Sequence, residues 1–151
     1  MAQFHPTERT GFVMTLVVGK MIAAHPGPGA DFDSALATCI EECLACFQAC
    51  TSCADACTAE ADIASMVKCI RTDLDCADTC AACAAVLSRR TDTDLTVTRT
   101  LVEACLASCV ACAVECERHA AHHEHCRICA EVCRRCEQAC RQLLAALPKV
   151  G

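Results

Sequence analysis

The steps between cysteines constrain this chain more than any other feature. The first run falls at Cys39, Cys43, Cys46, Cys50, Cys53 and Cys57, so its steps are 4, 3, 4, 3, 4. Cys105, Cys109, Cys112 and Cys116 step 4, 3, 4, and Cys126, Cys129, Cys133, Cys136 and Cys140 step 3, 4, 3, 4. Alternating threes and fours trace the a/d seam of a packed helix, which Leu and Ile normally fill. Thiols therefore line the inside of a helix bundle, and a core of sulfur calls for a soft metal ion to hold it together.

The length fits a single domain over residues 1–151, long enough to bury a real core without disulfide staples. Nineteen cysteines in 151 residues suggest a disulfide scaffold by composition alone. The spacing argues otherwise. Side chains three or four apart on a helix have Cβ atoms roughly 5–6 Å apart, whereas a disulfide wants about 3.8 Å. Cross-helix bridges remain open, but an odd count leaves one thiol over. Reduced thiols favour a cytoplasmic setting. Net charge is −6, with no Trp, no Tyr and no basic stripe, which argues against a nucleic-acid partner. No run reads as long enough to span a bilayer, so no membrane partner is expected. The apolar stretch from Gly11 to Gly19 resembles the core of a secretory signal. Lys20 interrupts it and no Arg-Arg pair precedes it, so a signal peptide is not expected.

Residues 7–24 read as a short N-terminal helix, ended by the Pro and Gly residues of 25–29. Apolar on most faces, it should pack outside the bundle or at a subunit contact. Helix 1 should run from Asp31 or Asp33 to about Ala59, helix 2 from about Asp62 to Ser88, helix 3 from about Leu95 to Ala120, and helix 4 from about His122 to Leu147. Asp92 or Asp94 can cap helix 3. No stretch reads as a strand. Four long helices with short connections over 31–147 give an all-α, antiparallel four-helix bundle with a cysteine-lined core.

Extending the seams past the cysteines distinguishes the two ends. Phe32, Leu36, Leu87, Leu101, Val102, Leu143 and Leu147 should converge as a hydrocarbon plug. At the other end the helix 2 seam, Cys69, Cys76, Cys80 and Cys83, runs back to Met66. Helix 3 runs forward to His119 and His123, and helix 4 runs back to His122; the loop between them also carries His125. A thioether and imidazole rim suits a port, because these ligands hold Cu(I) less tightly than thiolate does. The alternative is a polar turn with a solvated histidine cluster. Asp73 stands in the helix 2 seam where a cysteine belongs. It can accept a hydrogen bond, face Arg71 or Lys68, or bind metal, and a structural role is favoured. Glu60 ends the helix 1 seam and should be solvated.

Cu(I) is satisfied by two or three thiolates, whereas zinc wants a closed tetrahedron. If each ion takes two sulfurs and each sulfur serves two ions, the ratio is one metal per cysteine. Each Cu⁺ is then matched by one S⁻, and a neutral core avoids the penalty for buried charge. At four sulfurs per ion, zinc could fill only about four or five sites. Helix caps, plug and alanine-rich walls should let the metal-free bundle stand by itself.

These repeated Cys-x-x-x-Cys-x-x-Cys seams on four helices, with a Met and His rim, resemble the bacterial copper storage protein family over residues 31–147. The resemblance implies a tetramer of bundles, each holding multiple Cu(I) ions on all nineteen cysteines. Without a twin-arginine signal, the chain is similar to the cytosolic type. The resemblance places His119, His122, His123 and Met66 at the open end by position, and Asp73 departs from the pattern. It does not identify a copper donor or acceptor protein.

A thiol-rich buffer for zinc or cadmium, like a metallothionein, is the main alternative. Such chains take their shape from metal, whereas this one has helix-forming walls. An enzyme fits less well. Di-iron bundles need a Glu-x-x-His motif, and no Glu here has a His three residues on. Thiol redox catalysis wants one Cys-x-x-Cys beside a strand, and iron–sulfur ligands follow other spacings.

Overall fold

The computed structural model describes residues 17–150. Four helices carry it: α1 (Asp33–Thr58), α2 (Ile63–Leu87), α3 (Leu95–His119) and α4 (Glu124–Ala146). Their bounds lie within about two residues of those expected from the seams. Residues 17–23 are also helical, and the remainder of the expected N-terminal helix, 7–16, lies outside the described residues. Each long helix packs on the two beside it, in a square of α1, α2, α3 and α4. Antiparallel neighbours follow from sulfur contacts: Cys46 meets Cys76 of α2 at 3.7 Å, and Cys39 meets Cys140 of α4 at 3.9 Å.

The turns are built from local polar chemistry. Asp94 caps α3, its Oδ1 accepting from the backbone N–H of Thr96 (2.8 Å) and Val97 (3.0 Å). Asp92, in the same turn, takes a left-handed φ of 51°, a conformation Asp tolerates better than most residues. Arg99 reaches from α3 to the end of α4 and donates to the carbonyls of Leu144, Leu147 and Pro148, which the helix itself leaves unsatisfied. Arg90 pairs with Asp33 at 2.6 Å and donates to the Ile22 carbonyl, tying the N-terminal segment to the bundle.

The plug forms as the seams predict. Leu36, Leu87, Val102, Leu143 and Leu147 are buried there, with Phe32 and Leu101 packed against them. Above them lies a cavity of about 270 Å³, lined in part by Phe32, Leu36, Leu87 and Leu147. One expectation needs correction: α3, at 25 residues, is long and apolar enough to cross a bilayer by composition alone. Its four cysteines contribute much of that apolarity, and in the bundle all four are buried against the other helices.

The Asp94 cap is a local device with a measurable effect. Asp94→Ala should lower the stability of the metal-free protein by about 1 kcal/mol. A urea titration followed by circular dichroism should show a lower midpoint with unchanged slope.

Candidate metal centre

All nineteen cysteines are free thiols and all are buried, at 0–1% exposure. Each run occupies one helix and faces the axis, as steps of three and four require. Small walls, including Ala54, Ala77, Ala84, Ala113, Ala130 and Ala139, let the backbones approach. Sulfurs consequently touch across the diagonal as well as between neighbours. Cys43 lies 3.7 Å from Cys105, and Cys50 lies 3.8 Å from Cys112, both pairs joining α1 to α3. Sulfur fills the tube along these layers.

The sulfurs also form overlapping groups. Cys46, Cys50, Cys76 and Cys133 have ligand atoms all within 4.8 Å of one another; so do Cys46, Cys76, Cys80 and Cys109, and likewise Cys50, Cys112, Cys129 and Cys133. Cys43, Cys105, Cys136 and Cys140 form another quartet nearer the plug. Cys46, Cys50, Cys76 and Cys133 each belong to two groups, so one sulfur can serve two ions. Burial pushes the Cys57 thiol up to about 12, with Cys69 adding to the effect, and burial raises Cys126 as well. These thiols are protonated near neutral pH, and each must release its proton to bind metal.

Asp73 sits fully buried in the α2 seam. Its Oδ1 accepts from the thiols of Cys112 (3.0 Å), Cys116 (3.3 Å) and Cys129 (3.3 Å), while Cys69 approaches Oδ2 at 3.8 Å. Neither cation considered from the sequence faces it: Arg71 pairs with Asp75 and Lys68 with Glu115. Burial, then the neighbouring Cys129, pushes the Asp73 carboxyl up to about 8.

The mouth differs from the expected rim. Met66, expected on the rim, is instead buried in the core at 1% exposure. His119 is half-buried, with Nε2 at 3.3 Å from Glu115 Oε1, and His123 Nδ1 lies 2.9 Å from Glu60 Oε1. His122 is exposed, and among the described residues no thiol contacts it. The residue that enters the thiol layer is His125, whose Nδ1 lies 3.4 Å from Cys126, 3.5 Å from Cys53 and 4.0 Å from Cys57. These four form a further ligand group. Running the α4 seam back to His122 assumed a continuing helix, but α4 begins at Glu124, so the turn directs His122 outward. The signal for His125 was its place in the first turn of α4, adjoining Cys126. Glu60 is not simply solvated either: it holds both His123 and His125, and those imidazoles, His125 foremost, keep its carboxyl below the usual range.

Asp73 gives a pH dependence opposite to that of an ordinary paired aspartate. In an unfolded chain this carboxyl ionises near pH 4, whereas the folded protein retains its proton up to about 8. The folded state therefore binds the extra proton across that window. The contribution is complete below about pH 4 and is lost as pH rises through about 8. Relative to Asp73→Asn, the metal-free wild type should lose on the order of 5 kcal/mol of stability between those limits. Parallel denaturant titrations across the window check this.

The family model described as copper storage protein matches residues 32–145. A search of curated proteins finds no match. Among solved structures, the chain is similar to the copper storage protein Ccsp from Streptomyces lividans loaded with 10 copper equivalents, at 57% identity and TM-score 0.84, covering 86% of this chain and 99% of that one. A cytosolic copper storage protein from the same organism with five coppers is 63% identical, TM-score 0.75, covering 76% of this chain and 96% of that one.

Proposed function

The chain belongs to the copper storage protein family, and from that premise we propose that it stores Cu(I) along its core. The ions enter at the histidine mouth and are held as a near-neutral copper–thiolate array, with capacity approaching one ion per cysteine. The observation that carries this is the sharing of Cys46, Cys50, Cys76 and Cys133 between quartets. Shared vertices suit bridging thiolates around a monovalent ion of low coordination number. The proposed ligands are the nineteen thiols and His125, with Met66, His119 and His123 as the approach. His122 falls outside this set. Its role is storage rather than catalysis, and its setting is the cytosol, where thiols stay reduced and to which the five-copper relative is assigned.

The same quartets could each offer zinc four sulfurs, so a general thiol buffer is the competing reading. An anaerobic Cu(I) titration of the reduced protein against a chelator, with zinc in parallel, separates the two. Uptake should approach one copper per cysteine, with about one proton released per copper. Saturation near four or five ions, with zinc held as tightly, would favour the buffer.

A homotetramer is the proposed assembly. Ile63, Val67, Ile70 and Leu74 step 4, 3, 4 along one face of α2. Ile63, Val67 and Leu74 are exposed, as is Phe47 on the neighbouring α1. An apolar stripe of this kind fits burial against another copy. Light scattering should show a tetramer, and Val67→Glu with Leu74→Glu should yield smaller species with unchanged copper per chain.

A further inference from the structure

One contact at the mouth is not explained by thiols binding copper. Glu60 lies in the turn after α1, beyond the C-cap residue Ala59. Its Oε1 lies 2.9 Å from His123 Nδ1 and 2.9 Å from His125 Nε2, so one carboxylate oxygen joins two imidazoles. A carboxylate can only accept here. The hydrogen of each contact must therefore sit on the imidazole nitrogen. In neutral His125 this puts the proton on Nε2 and leaves the lone pair on Nδ1. Nδ1 is the atom that faces Cys126, Cys53 and Cys57.

We propose that Glu60 is a positioning residue for copper uptake: by holding His125 through Nε2–H, it keeps the Nδ1 lone pair aimed at the three mouth thiols. This rests on the reading that copper enters by this mouth. The arrangement has the form of a carboxylate–histidine–metal relay, in which the outer carboxylate selects the tautomer and makes the ligating nitrogen more basic. The first ion then meets a prepared nitrogen and sulfur site before any thiol-only site. A hard carboxylate oxygen is itself a poor ligand for Cu(I), which favours the outer position for Glu60. The second hydrogen bond, from His123, holds the carboxylate in place from the other side.

The test uses the full chain and two variants, Glu60→Ala and Glu60→Gln. Nitrogen-15 NMR of the metal-free protein reads the His125 tautomer. Chelator competition reads the affinity for the first Cu(I), a full titration reads capacity, and thermal melting reads the structural cost. In the wild type, His125 should carry its proton on Nε2. Glu60→Ala should mix the tautomers and weaken the first-copper affinity by about 10- to 100-fold at unchanged capacity. Glu60→Gln, whose amide oxygen can accept the same bond, should recover most of that loss. Wild-type tautomer and affinity in Glu60→Ala would overturn the proposal. So would a loss of capacity in both variants with the tautomer unchanged, which would make Glu60 a ligand. Equal loss in both variants, tracking a lower melting temperature, would make it only a tie between helix ends. A wild-type protein that takes up no Cu(I) overturns the functional reading itself, before either variant is made.

Discussion

Everything in this structure depends on keeping a sulfur-filled interior electrically neutral. Nineteen free thiols are buried side by side, an arrangement a dry core tolerates only while the column stays close to neutral. Were several ionised together, their mutual repulsion and lost hydration would oppose folding. Replacing each proton with a monovalent ion preserves the balance. The helices need not move apart, because sulfurs already lie 3.5–3.9 Å from one another along the axis. The proposed loading is thus an exchange within a preformed tube, which separates it from folding around a structural ion.

Such a tube cannot also supply much hydrocarbon packing, so stability and uptake are separated along its length. Leucines and a valine close one end, where Arg99 satisfies the last carbonyls of α4 and Arg90 ties α1 to the N-terminal segment. Burying a leucine or valine contributes roughly 1.5–3 kcal/mol, so this end can hold the fold before metal arrives. The other end is given to chemistry. His123, His125 and Glu60 are only partly buried there, and His125 reaches the thiols of Cys53, Cys57 and Cys126. Asp73, fully buried in the sulfur column, lies between the two ends. It is the position where proton exchange must differ, since its three thiol donors lose their hydrogens if they bind copper.

The parts legible in the sequence are those set by helical periodicity. Steps of three and four located every thiol, all four helices and the seven-residue plug, because one rigid geometry governs each run. At the turns that geometry stops, and side-chain placement no longer follows from spacing. Extending the α4 seam backward puts His122 inward, whereas α4 begins at Glu124 and His125 takes the inward position. Glu60 has no local partner in the sequence, because the two imidazoles that meet it come from the N-cap and first turn of α4, more than sixty residues away. Asp73 was visible as an anomaly, but its thiol partners on α3 and α4 required the assembled bundle. The bilayer-like composition of α3 has the same origin as the seams: cysteine scores as apolar whether it faces lipid or other cysteines.

The quartets also bear on selectivity. A zinc ion among four thiolates leaves a net charge of −2 at each site, and neighbouring sites would have to place those charges a few ångströms apart in a dry core. Quartets that share Cys46, Cys50, Cys76 and Cys133 cannot all be filled with separate tetrahedra. Cu(I) meets neither obstacle. Two sulfurs suffice, sharing is favourable, and one positive charge offsets one thiolate. Overlap between groups thus penalises the divalent ion twice, in charge and in ligand count. A thiol column this dense is better suited to a monovalent soft metal than any single quartet in it would indicate.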